Sequence, residues 1–270
     1  MRRALALLGF AVCGFPTALS ADVMVSSTMD LNGLDLVFPS GYTLSFASGV
    51  LATASASAQD SLGGNDAQFN FMLNGSTSAS AGTALASAVA TADSSSLPSL
   101  TASAQSGVNI PDGLMAFASS SANGNPFGSL SGSFEIDGPS GTVSVTLEAM
   151  LQYSQFLQTM DGGVFATSDV NFSLLLPDVN SSPLLFFDNP LTIGPNSTVA
   201  PSGAPTPMTS VMLNADTPYS FVANVDAESS GLNAPEPSSL LLCLTVFALL
   251  TVSFIRRERL RRGSTAAKKP

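Results

Sequence analysis

Residues 51–60 read LATASASAQD, and residues 84–93 read ALASAVATAD. In the first, Ala52, Ala54, Ala56 and Ala58 alternate with Thr53, Ser55, Ser57 and Gln59. In the second, Ala84 to Ala92 alternate with Leu85, Ser87, Val89, Thr91 and Asp93. Ala102 and Ala104 repeat the pattern briefly. Alanine is a strong helix former, so local propensity favours a helix. A helix, however, stacks residues three and four apart, whereas a strand puts alternate residues on one face. The period of two therefore predicts strands, with alanine on one side and small polar residues on the other. A flexible Ser/Ala linker is the third reading of this composition. The Ser/Thr faces read as solvated, with an adhesive or glycan-decorated surface as the functional alternative.

The same period runs through the rest of the body. Tyr42, Leu44 and Phe46 alternate with Thr43 and Ser45 after the Pro39-Ser40-Gly41 turn signal. Residues 60–65, DSLGGN, predict a hairpin leading into Gln68–Leu73. Ser133–Ile136 and Gly141–Met150 flank Asp137-Gly138-Pro139-Ser140, which also predicts a hairpin, with Val143, Val145 and Leu147 on one face. Asp161-Gly162-Gly163 turns the chain into a strand with Val170, Phe172, Leu174 and Leu176 on one face. Leu184–Phe187 reads as a short buried strand, and the Pro-rich Val199–Thr209 as an exposed loop or edge. Val211–Leu213 and Tyr219–Val225 read as a last pair. Many short strands with regular turns predict an all-β, antiparallel β-sandwich of jelly-roll kind, residues 22–228. The alanine strands are expected to lie against a facing sheet carrying Phe127, Phe134, Phe156, Phe172 and Phe221. Residues 229–234 read as a linker.

Charge is segregated along the chain. The formal net charge is −10, yet all nine Lys and Arg sit at the ends, and eighteen carboxylates lie between Asp22 and Glu236. The 212 residues from Asp22 to Asn233 contain no Lys, Arg, His or Cys. That removes the imidazole of a catalytic triad, the cations that clamp phosphate or carboxylate substrates, thiolate metal sites and disulfides. Nucleic acid is excluded as a partner, because its phosphates need cationic side chains. No catalytic residue, metal or other cofactor is expected.

The two ends read as targeting segments. Arg2 and Arg3 precede the short apolar run Ala4–Val12, and Ala18, Ser20 and Ala21 are small residues suited to signal peptidase, so residues 1–21 read as a signal peptide. Lipidation at Cys13 is disfavoured by the bulky Val12 before it. At the other end stand Pro235-Glu236-Pro237, then an uncharged run through Leu240–Ile255, then Arg256, Arg257, Arg259, Arg261 and Arg262, opposed only by Glu258. Two prolines make the tripeptide stiff and extended. With Ser238 and Ser239 the run approaches the length of a transmembrane helix, about 20 residues. Basic residues next to a span mark its cytoplasmic side. A buried core helix and a nucleic-acid-binding arginine cluster are the bland readings of the same residues.

This order of motif, span and arginines resembles the PEP-CTERM sorting signal of Gram-negative bacteria. The resemblance covers residues 235–262, with a single transmembrane helix at 238–255, an arginine cluster at 256–262 and a cytoplasmic tail at 263–270. It implies that exosortase, a membrane-embedded cysteine transpeptidase, is a transient partner that removes the tail near the motif. It further implies export, an inner-membrane intermediate, and delivery to the cell surface or an exopolysaccharide matrix. Thr245, Thr251 and Ser253 within the span and Glu258 among the arginines depart from the usual pattern.

Candidate sites inside the body are few. Asp30, Asn32 and Asp35 lie close together, as do Asp161 and Asp169, and Asp178 and Asn180. Such oxygens suit Ca²⁺, but none makes a full calcium loop, and solvated turns account for them equally. Asn74, Asn171, Asn180 and Asn196 begin glycosylation sequons without expected consequence in a bacterium. With no Trp and three Tyr the chain lacks an obvious sugar-stacking platform. Two functions remain: a non-catalytic surface or matrix protein, and a secreted carbohydrate binder or hydrolase working through carboxylates, with or without Ca²⁺.

Overall fold

The computed structural model describes residues 23–96, 99–111, 114–121, 130–160 and 163–233. The described residues form sixteen strands and no helix. They are β1 (Val23–Val37), β2 (Thr43–Asp60), β3 (Asn65–Leu73), β4 (Ser76–Gly82), β5 (Ala86–Ser96), β6 (Ser99–Ile110), β7 (Met115–Ser121) and β8 (Leu130–Asp137). There follow β9 (Thr142–Thr159), β10 (Gly163–Leu175), β11 (Leu185–Asp188), β12 (Leu191–Ile193), β13 (Ser197–Val199), β14 (Ser202–Gly203), β15 (Met208–Asn214) and β16 (Pro218–Asn233).

Two antiparallel sheets result. The first runs β9-β1-β6-β5-β4, with β13, β14 and β15 strung along the free side of β9. The second runs β11-β10-β16-β7-β2-β3, with β12 on β10, and β8 bridging β16 and β2. The alanine-rich stretches are strands, as their period demands: Ala52, Ala54, Ala56 and Ala58 are all buried, and so are Ala86, Ala88, Ala90 and Ala92. The hairpin expected at 60–65 forms between β2 and β3, with Gln59 opposite Asn65 and Leu51 opposite Leu73. Asp60 closes it by accepting the amides of Leu62 (3.0 Å) and Gly64 (2.9 Å) on Oδ1, while Gly63 supplies a φ of +92°.

Two expected pairings are overturned. Ser133–Ile136 and Gly141–Met150 are not a hairpin: β8 lies in the second sheet and β9 in the first. Nor do Val211–Leu213 and Tyr219–Val225 pair, because β15 and β16 also sit in different sheets. In both places the turn carries the chain across the core instead of back along its own sheet. Alternation identifies a buried face, and that face looks the same in a hairpin and in a crossing. The crossings are mutually supporting. β1, β9 and β15 are neighbours in one sheet, and β2, β8 and β16 in the other. The three segments thus form one antiparallel ribbon folded over at residues 38–42, 138–141 and 215–217. At this corner Ala215 N–H donates to the Gly141 carbonyl (2.9 Å) and Asp216 N–H to that of Ile136 (3.0 Å).

The Pro-rich stretch is an edge, as expected. Pro201, Pro205 and Pro207 offer carbonyls to the amides of Gln155, Leu151 and Ala149 at 2.9–3.1 Å. Having no N–H, these prolines accept from β9 without donating back to it. Residues 229–233, read from sequence as linker, belong to β16, with Ser229 and Asn233 buried.

The core divides into two clusters. One holds the large side chains, including Phe134, Phe172, Phe221, Leu147 and Leu174. The other is mostly alanine: Ala54, Ala56 and Ala58 from the second sheet, and Ala79, Ala81, Ala86, Ala88 and Ala90 from the first, with Val23, Val25, Ile110 and Leu157. The expected large-against-small arrangement holds only in part: Ala92, Ala102 and Ala104 of the first sheet share the cluster of large side chains, and Ala86, Ala88 and Ala90 do not. Phe134, Phe172 and Phe221 all belong to the second sheet and pack in the cluster of large side chains. Phe156 is half-buried on the alternate face from Leu157, and Phe127 lies outside the described residues. Methyl groups facing methyl groups fill the space only if the sheets approach closely there, since interiors tolerate few voids.

Hydroxyl and amide groups bridge the sheets. The Ser27 hydroxyl lies 2.6 Å from that of Ser168 and 2.8 Å from that of Ser229, and donates to the Glu228 carbonyl. Ser106 reaches Ser229 at 2.9 Å. Gln155 Nε2 donates to Ser168 Oγ at 2.8 Å. Ser27, Ser106 and Gln155 come from the first sheet, Ser168 and Ser229 from the second.

Candidate functional site

Carboxylates gather in three places. The first is the outer face of the first sheet, where register alone builds a polar surface. Ser103 stands between Asp30 of β1 and Thr91 of β5, and Thr91 faces Ser78 of β4. With Asn32, Asp93 and Thr101 these residues line an open concavity of about 570 Å³. The Asp93 carboxyl is held below its ordinary range by the hydroxyl and amide of Ser95. Of the expected trio, Asp30 and Asn32 share this concavity. Asp35 lies past the irregularity between Leu31 and Gly33, opposite Glu148. Hydrogen-bonding groups of both kinds and two carboxylates suit a polyhydroxylated ligand, but the lining has no aromatic ring on which a sugar could stack.

The second is the outer face of the second sheet. Asp169 on β10 is directly opposite Glu228 on β16, and Asn171, two residues on, faces Asp188 of β11. Burial, followed by the nearby charge of Asp188, a hydrogen bond to it and the charge of Glu228, pushes the Asp169 carboxyl up to about 6. Its Oδ1 is buried without a hydrogen-bond partner. A protonatable carboxyl beside acidic neighbours is the electronic arrangement of an acid–base pair. Hydrolysis also needs a cleft that holds the substrate, and the concavity on the first sheet does not include Asp169. Asp161, its expected companion, lies outside the described residues.

The third place was not foreseen. Glu135 and Asp137 at the end of β8 and Asp216 in the β15–β16 turn bring carboxylate oxygens within 4.8 Å of one another. Stacking of two crossings at the ribbon corner assembles them, and Asp216 adopts a left-handed φ of 54° there. The sequence marks both turns but not their contact. One oxygen from each carboxylate supplies at most half of the roughly six to eight that Ca²⁺ takes.

The remaining candidates are committed to the backbone. Asp178 Oδ2 accepts the Ser220 amide at 2.6 Å, and Asn180 Oδ1 that of Ser182 at 3.2 Å. Asp60 is drawn below its ordinary range by the Thr83 hydroxyl and the Gly64 amide. Asn74 and Asn196 take left-handed turns at φ 50° and 53°. The targeting residues Ala18, Ser20 and Ala21, the motif Pro235, Glu236 and Pro237, and the arginines from Arg256 to Arg262 lie outside the described residues.

These features define a class: an all-β body of two antiparallel sheets with a carboxylate-bearing surface. No protein-family model, curated protein or solved structure matches the chain.

Proposed function

We propose that the chain is an exported, non-catalytic protein of the cell surface or extracellular matrix, sorted through residues 235–262. The observation that carries this reading is the order Pro235-Glu236-Pro237, apolar run, arginine cluster, behind a body without a single Lys, Arg or His. Basic residues within about 15–20 positions of a span mark its cytoplasmic side, and here they stand only after the run, which puts the body on the exported side. Residues 1–21 act as the signal peptide, cleaved near Ser20 or Ala21, and residues 238–255 as a single transmembrane helix with Arg256, Arg257, Arg259, Arg261 and Arg262 on the cytoplasmic side. Exosortase is the transient processing partner, and an exopolysaccharide matrix the destination. The body is a β-sandwich of jelly-roll kind, a reading supported by the three-strand ribbon that folds from one sheet into the other. The test is fractionation after deleting residues 256–262 or making Glu236→Ala. The altered chain should accumulate in, or be lost from, the inner membrane, and surface delivery at the unaltered level removes the reading.

The polar concavity favours a second reading, a binder of neutral saccharides held by hydrogen bonds alone. Calorimetric titration with oligosaccharides, repeated on Asp30→Ala, separates it from a solvated sheet face.

A further inference from the structure

β16 ends at Asn233, the last of the described residues. Just before it, Leu232 has Met115 of β7 as its cross-strand neighbour on one side and Phe165 of β10 on the other. Phe117 stands beside Ser230. With Gln59 and Ala116 these residues line an open groove of about 410 Å³. Its aromatic and thioether groups face water: Met115 is 53% exposed, Phe117 38% and Phe165 36%. Leu62 in the β2–β3 turn, 60% exposed, adds to the same end of the body, because Asp60 pairs with Ala116.

Exposed apolar groups gathered around a groove mark an interaction surface, and the chain itself indicates what covers this one. Residues 234–239 alone separate Asn233 from the apolar run that begins at Leu240. Even fully extended they reach about 20 Å. Whatever membrane receives that run therefore lies within a short tether of Leu232.

We propose that this end of the body rests on the bilayer, with Met115, Phe117, Phe165 and Leu62 dipping into its interfacial layer. The inference rests on reading residues 235–262 as a membrane sorting tail. Aromatic and long apolar side chains suit that depth. The contact is hydrophobic, because a body without Lys or Arg has nothing to offer anionic headgroups, and its carboxylates are repelled by them. Zwitterionic lipid is the favoured surface. Bilayer contact would cover the groove while the tail is retained and uncover it once the tail is removed.

The test uses the full chain without its leader, reconstituted in phosphatidylethanolamine/phosphatidylcholine vesicles, with Cys243→Ser as background. An environment-sensitive fluorophore is placed on Phe117→Cys, Phe165→Cys or Leu62→Cys, and on Phe186→Cys and Met212→Cys as controls, both 61% exposed elsewhere on the body. Leu62→Cys, in an exposed turn, keeps the test readable if substitution at 117 or 165 disturbs folding. Brominated acyl chains should quench the labels at 62, 117 and 165 at least twofold more than those at 186 and 212, and less when phosphatidylglycerol replaces the zwitterionic lipid. Equal quenching at all five sites overturns the proposal. So does shielding at 117 and 165 that persists in dilute detergent together with dimer formation, which would make the groove a contact between copies. Alkaline extraction of the same vesicles separates the two failures. A chain that resists extraction yet keeps 117 and 165 wet sinks this inference alone, and a chain that is extracted sinks the sorting-tail reading with it.

Discussion

Gln155 and Asn189 hold each other by both ends of an amide: Asn189 Nδ2 donates to Gln155 Oε1 at 2.8 Å, and Gln155 Nε2 donates to the Asn189 carbonyl at 2.9 Å. Gln155 is 2% exposed and also donates to Ser168, so it ties β9 in one sheet to β10 in the other. Gln155→Leu keeps the volume but strands the Asn189 amide and carbonyl. The expected loss is about 2 kcal/mol of stability, or roughly 4–8 °C in Tm for a body of this size. Urea unfolding of the variant checks it, and an unchanged midpoint would mean the bridge contributes nothing net.

Asp169 predicts an inverted pH dependence. Its folded pKa, about 6, lies above the ordinary 3.8. Between those values the folded state holds a proton that the unfolded state has released. Stability contributed by this group is therefore fully present below pH 4 and is lost as pH rises through 6. Asp60 and Asp93, whose carboxyls are lowered, act oppositely and only below about pH 4, losing their contribution as pH falls. The urea midpoint should accordingly decline from pH 4.5 to 7, and Asp169→Asn should flatten that slope while leaving the acid limb intact. A wild-type midpoint that rises across this window contradicts the reading.

Alternation made the strands legible wherever buried and exposed residues differ in type, as for Ala54 against Ser55 or Phe172 against Ser173. It could not say which strand is whose neighbour. Asp137-Gly138-Pro139-Ser140 has hairpin chemistry, yet Ile136 and Val143 lie in different sheets of one core. The same limit hid the Glu135–Asp137–Asp216 corner, whose members meet only because two crossings stack. Asp30 and Asn32 were legible as companions by nearness in sequence alone, and β1 then sets them on one face. The Asp169–Glu228 pairing was not, since it depends on the register of β10 with β16.

The alanine half of the core predicts intolerance of volume. Ala90 is fully buried, pairs with Ala79 and Ala104, and shares its cluster with Ala54, Ala56 and Ala58 of the other sheet. Ala90→Leu adds three carbons where methyls meet methyls, and should cost about 1–3 kcal/mol or more through forced separation of the sheets. Thr91→Val, on the exposed face one residue away, should change stability by less than about 0.5 kcal/mol. Thermal melts of the pair compare the two faces directly. Equal tolerance would show that the sheets are not closely apposed at this end.

The carboxylate corner decides whether calcium belongs to this fold. Glu135, Asp137 and Asp216 converge without a cation among the body's side chains to neutralise them. If they serve only as turn residues, their mutual repulsion is a small burden, and Glu135→Gln should raise stability by a few tenths of a kcal/mol. Millimolar Ca²⁺ should then leave Tm where Mg²⁺ leaves it, since both only screen. If the corner is a calcium site, ligand at a hundredfold excess over Kd adds about 2.7 kcal/mol to the folded state, and Glu135→Gln abolishes that gain. Differential scanning calorimetry of both proteins, with Ca²⁺ and with chelator, reads the difference. We expect the first pattern, because three carboxylates on an open turn leave half the coordination sphere to water.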